Sequence, residues 1–82
     1  MTNKKTMLLT NAHHGETYQL VSLKGGKALQ RRLSEMGLTP GVNLRVLQDC
    51  GGPLLIAIRS SRIALGRGMA KKITVAPIKE AQ

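Results

Sequence analysis

Along Tyr18-Gln19-Leu20-Val21-Ser22-Leu23, apolar and polar residues alternate closely enough to predict a strand with Tyr18 and Leu20 on one face. Gly25-Gly26 breaks the alternation. From Lys27 to Met36 the period changes, because Leu29, Leu33 and Met36 fall at i, i+4 and i+7, one apolar stripe of a helix. Gly37 follows where a left-handed helix cap is wanted. Thr39-Pro40-Gly41-Val42 has the chemistry of a type II turn, Pro at the second position and Gly at the third. The two-residue period then returns, with Val42, Leu44 and Val46 on one face and Asn43 and Arg45 on the other. Asp49-Cys50-Gly51-Gly52-Pro53 reads as a hairpin connection to Leu54–Arg59, where Leu54, Ile56 and Ile58 alternate. Leu55 and Ala57 are apolar too, so this strand is expected to be covered on both faces. Ser60-Ser61 turns the chain into Arg62-Ile63-Ala64-Leu65, Gly66 to Ala70 forms a tight turn or 3₁₀ piece, and Lys72 to Ala76 is a last strand ended by Pro77. Leu8 to Gly15 reads as a turn or single helical turn.

These elements make about five short strands with one helix inserted after the first. A small antiparallel sheet hides its edges by curling. The expected fold is therefore mainly β, a partly open SH3-like barrel with one α-helix. Leu20, Leu33, Val46, Ile56, Ile63 and Val75 are its expected core. One domain spans residues 8–78, with residues 1–7 and 79–82 as flexible ends.

Composition narrows the physical problem. With 82 residues the chain supports one thin core. Tyr18 is its single aromatic, so aliphatic side chains and methionine must build that core. Thirteen lysines and arginines face four acids, for a net charge of +9. Such a field favours acidic partners without choosing among nucleic acid, anionic lipid and protein. The basic residues gather in two groups: Lys24, Lys27, Arg31 and Arg32, then Arg59, Arg62, Arg67, Lys71 and Lys72. One cysteine, Cys50, excludes an intrachain disulfide, and the start of the chain has no apolar run long enough for a signal peptide; both point to the cytoplasm. The longest apolar run, Leu54 to Ile58, is far short of the roughly 20 residues that span a bilayer.

The residues offer little catalytic chemistry. The four acids, Glu16, Glu35, Asp49 and Glu80, are scattered, and Ser60-Ser61 has no acid nearby to orient a histidine. His13, His14 and Cys50 lack the spacing of a ligand set, and surface histidines with an incidental hairpin cysteine account for them. Gly66-Arg67-Gly68 lacks both a third glycine and the Lys-Ser or Lys-Thr of a phosphate loop. No enzyme activity is expected. Nucleic-acid binding is the rival reading of the charge, but Tyr18 alone makes no stacking platform, which leaves phosphate contacts only.

Leu29-Gln30-Arg31-Arg32-Leu33-Ser34-Glu35-Met36-Gly37-Leu38-Thr39-Pro40-Gly41 resembles the FeoA pattern of a helix with Arg-Leu, then Glu-Met-Gly-Leu and a Pro-Gly turn. Gly52-Pro53-Leu54-Leu55-Ile56, Arg62-Ile63-Ala64-Leu65-Gly66, Met69-Ala70 and Ile73-Thr74-Val75 are similar to that family's later strands. The resemblance implies an SH3-like barrel and a cytoplasmic role beside FeoB, the ferrous-iron permease with a G-protein domain, with any membrane association through that partner. It leaves room for weak binding of ferrous iron or another transition metal, for which this sequence shows no ligand set. The same barrel ends the DtxR-type metal-dependent repressors, so the alternative is a small basic nucleic-acid-binding or regulator-like domain. Lys27, Arg31, Arg32, Leu38 and Pro40, on the basic helix and the turn after it, are the expected partner-binding residues.

Overall fold

The computed structural model describes residues 5–49, 51–59 and 61–78. Among the described residues, six strands and two helices follow one another: β1 (Met7–Leu8), a 3₁₀ turn (Leu9–Asn11), β2 (Thr17–Leu23), α1 (Lys27–Glu35), β3 (Asn43–Gln48), β4 (Leu54–Ile58), β5 (Ser61–Leu65), α2 (Arg67–Ala70) and β6 (Ile73–Pro77). The strands form one sheet in the order β1-β6-β2-β3-β4-β5, every pair antiparallel. This is the SH3-like architecture expected, with the sheet curled but not closed, β1 and β5 standing at its two edges.

The strand count rises from five to six because of β1. Met7 lies in the stretch expected to be loose, yet it pairs with Val75, and Leu8 with Thr74. Two residues are too few for an alternating pattern to show. Residues 1–4, 79–82, Cys50 and Ser60 lie outside the described residues, and with them the expectations placed on both chain ends, on the cysteine and on the first serine of the β4–β5 turn.

One face of the sheet supplies the core. Tyr18, Leu20, Leu44, Val46, Leu54, Ile56, Ile58, Leu65, Ile73 and Val75 are buried, at the alternate positions the period requires. Leu33 of α1, Leu9 of the 3₁₀ turn and Ala70 of α2 close over them. Of the expected core, Ile63 is only partly buried, on edge strand β5. The outer side of β4 is not covered as expected: Leu55 and Ala57 are partly exposed. Tyr18 ends its buried strand face with a polar tip, and its hydroxyl oxygen accepts the N–H of His13 at 2.9 Å. That bond fixes the loop between the 3₁₀ turn and β2.

Candidate functional site

α1 ends by a specific device. The N–H of Gly37 donates to the carbonyl of Ser34 and that of Leu38 to the carbonyl of Leu33, both at 2.9 Å, the paired bonds of a Schellman cap. Gly37 adopts φ +95°, the left-handed region that this cap needs. The cap also seals an apolar contact, since Leu33 and Leu38 have no exposed surface. Leu38 is therefore a buried residue of the core, because the residue after a left-handed cap folds back onto the helix's apolar stripe.

Pro40 does reach solvent. The turn that carries it is the expected type II turn, with φ +97° at Gly41 and the N–H of Val42 donating to the carbonyl of Thr39 at 3.1 Å. Two bonds tie this turn to β2. The Gly41 N–H donates to the Leu20 carbonyl, and the Leu20 N–H to the Val42 carbonyl, each at 2.8 Å. Pro40 is thus a fixed projection rather than part of a free loop.

Lys27, Arg31 and Arg32 are all exposed on α1. Among the described residues none of them makes an ion pair, and Glu35, on the same helix, does not neutralise them. The helix begins at Gly26 with no side-chain cap and no acid in its first turn. Its positive dipole end therefore adds to Lys24 and Lys27 instead of being offset. Gln30 steadies this end by donating from Nε2 to the carbonyls of Gly25 and Leu23 at 3.2 and 3.4 Å. Between α1 and the end of β2 runs an open groove of about 490 Å³, whose lining includes Val21, Leu23, Gln30, Arg31, Leu38 and Pro40. Val21 is 40% exposed there, one of few large apolar side chains in such a position. The structure thus brings Arg31, Pro40 and the buried Leu38 onto one groove, with Lys27 and Arg32 on the helix beside it. Sequence reasoning missed Val21: alternation puts it on the face opposite Leu20, but that it lines a groove depends on α1 beside it.

The second basic group is less uniform than expected. Arg67 Nη1 lies 2.6 Å from Asp49 Oδ1 and also donates to the carbonyl of Gly52 at 3.1 Å. This pair pins the β3–β4 connection to α2 and takes Arg67 out of the free positive surface. The hydrogen bond from Arg67 holds the Asp49 carboxyl below its ordinary value of 3.8, against the partial desolvation of the site. Asp49 and Arg67 are 18 residues apart, and nothing in their local patterns announces the contact.

His13 and His14 are both exposed. Among the described residues no group of three His, Cys, Asp or Glu side chains could hold a metal ion. No described helix is long and apolar enough to cross a membrane.

The FeoA domain family model matches residues 7–77. A protein of Methanocaldococcus jannaschii named "Putative Fe(2+) transport protein A" is 37% identical over 67 residues, 82% of each chain. The crystal structure of an iron uptake regulatory protein (FeoA) superposes with a TM-score of 0.85 at 31% identity, covering 90% of this chain and all of that one. A manganese-dependent transcriptional repressor shares the fold, with a TM-score of 0.82 at 22% identity over 94% of this chain and 44% of its own.

Proposed function

The chain belongs to the FeoA family, involved in ferrous-iron transport, and from that premise we propose that it is a cytoplasmic accessory protein that binds the FeoB permease and supports or regulates it. It acts by contact and performs no catalysis of its own. The contact surface is the exposed side of α1 with Lys27, Arg31 and Arg32, the groove beside it, and the turn carrying Pro40. One observation carries this reading: three exposed cations, without an acidic partner among the described residues, stand next to a groove with the exposed Val21 in its lining. Unneutralised arginines gain most from an acidic partner surface, chiefly through faster and better-oriented encounter. The groove supplies the apolar area that charge alone does not.

Arg31→Glu combined with Arg32→Glu tests the proposal. The folded double variant should lose co-purification of the permease and lower ferrous-iron uptake in cells. Normal uptake with normal co-purification would remove α1 from the interface. The regulator-like alternative rests on a likeness that reaches the fold alone.

A further inference from the structure

The outer face of the β3–β4–β5 sheet carries a second, separate concentration of charge. In register across the three strands, Arg45 stands opposite Ala57, and Ala57 opposite Arg62. Directly opposed residues in an antiparallel ladder share a face. Arg45 and Arg62 therefore flank Ala57 on the side away from the core, with their Cα atoms about 10 Å apart at the usual strand spacing. Arg59 lies two residues beyond Ala57. Arg45 and Arg59 line one open recess of about 320 Å³ with Thr17, Asn43 and Ala57.

Three features of this arrangement call for a ligand. Among the described residues none of the three arginines makes an ion pair. Ala57, between them, is the smallest side chain that keeps the strand regular, and it leaves the recess open. Arg59 has φ +45°, the one non-glycine residue with positive φ among those described. It holds the first place of the two-residue connection between Ile58 and Ser61, where glycine, asparagine or aspartate is usual. A long cationic side chain is kept there against its backbone preference.

We propose that this face binds a compact polyanion bearing phosphate groups. The guanidinium is a weakly hydrated planar fork suited to phosphate oxygens. Arg45 and Arg59 line the recess and Arg62 stands across Ala57 from Arg45, so guanidiniums from up to three positions can meet the oxygens of a tetrahedral phosphate, whereas a carboxylate offers two oxygens in one plane. Thr17 and Asn43 add neutral hydrogen-bonding groups at the rim. The recess shares no residue with the groove beside α1, although Arg59 also lines a recess with Thr39 and Pro40 of the turn, and the proposal does not depend on the permease reading. Its phosphate comes from a free polyanion or from a lipid headgroup, and the two are separable by experiment.

Titration calorimetry with inorganic pyrophosphate at low ionic strength is the first arm. Co-sedimentation with phosphatidylcholine vesicles, with and without phosphatidic acid, is the second. Saturable binding in either arm is expected, weakened about tenfold or more by Arg45→Gln with Arg62→Gln, since each lost charged hydrogen bond costs on the order of a factor of ten. Lys71→Gln with Lys72→Gln removes the same charge elsewhere and should change binding little. Arg59→Gly relieves the backbone and should fold at least as well while binding more weakly. Pyrophosphate binding identifies a free ligand, and binding confined to phosphatidic acid vesicles a headgroup. Failure of both arms, equal loss in the two double variants, equal binding of citrate, or binding to plain phosphatidylcholine would each overturn the proposal.

Discussion

The backbone N–H of Leu38 donates to the carbonyl of Leu33 at 2.9 Å, and the two side chains meet in the core with no exposed surface. This one bond links the helix that carries the basic face to the turn that carries Pro40. The relative placement of Arg31 and Pro40 depends on it.

Gly37 makes the bond reachable, so Gly37→Ala should be costly. At φ +95° an L side chain is strained, and its Cβ would sit 3.0 Å from Ile58 Cδ1. A loss of about 1–3 kcal/mol is expected from the conformation alone. Urea unfolding monitored by circular dichroism measures it, and an unchanged midpoint would show that the cap tolerates another conformation.

Leu33→Ala should cost more, about 2–5 kcal/mol, as for other fully buried leucines truncated in a packed core. In a domain this small that is a large part of the total stability. The same unfolding experiment applies. A loss near zero would mean that the helix is not held through this side chain.

Both residues belong to what is legible in the sequence. The stripe of Leu29, Leu33 and Met36, the glycine after it and the Pro-Gly turn each follow a local rule, and each appears where the rule puts it. What escapes a local reading depends on distance along the chain or on irregular backbone. β1 is too short to carry a period. The Asp49–Arg67 contact spans 18 residues. Val21 faces outward by alternation, but the groove it lines is made only when α1 lies beside it. The full burial of Leu38 depends on the cap that folds it inward, although it still lines the groove. Of the expected contact surface, the charged positions are readable from helical spacing, while the groove needs the packing of α1 on β2.

The Asp49–Arg67 pair gives a pH dependence with a definite sign. Its hydrogen bond lowers the folded-state pKa of Asp49 below 3.8. A depressed carboxylate contributes stability that is present above its unfolded value and is lost as pH falls through the folded value. The chain should therefore lose this contribution only below pH 3.8. Asp49→Asn should be less stable than the parent at neutral pH, and the gap should narrow below that point. A constant gap across the acid range would show that the pair does not act through the carboxylate charge.

The net charge of +9 also predicts how the chain meets nucleic acid. Binding to duplexes should be weak, indifferent to sequence, and at least about tenfold weaker at physiological than at low salt, as for phosphate contacts alone. Fluorescence anisotropy with unrelated duplexes checks this. Tight binding to one sequence at physiological salt would favour the regulator-like reading over the iron-transport one.

The proposed contact with the permease combines two kinds of interaction, and kinetics can separate them. Exposed arginines act at long range, so Arg31→Glu with Arg32→Glu should mainly slow association and flatten its dependence on salt. Val21 acts only after docking. It is 40% exposed, and covering that remainder is worth about 1 kcal/mol on the scale for a valine side chain. Val21→Ser should therefore leave association nearly unchanged and speed dissociation about fivefold, the factor that corresponds to that energy. Surface plasmon resonance with the permease's cytoplasmic part on the sensor measures both rates, and circular dichroism confirms that each variant is folded. If both variants slowed association alone, the groove would be a bystander and the charges would carry the contact. If neither changed either rate, the interface would lie on another face, and the arginines around Ala57 would become the next surface to test.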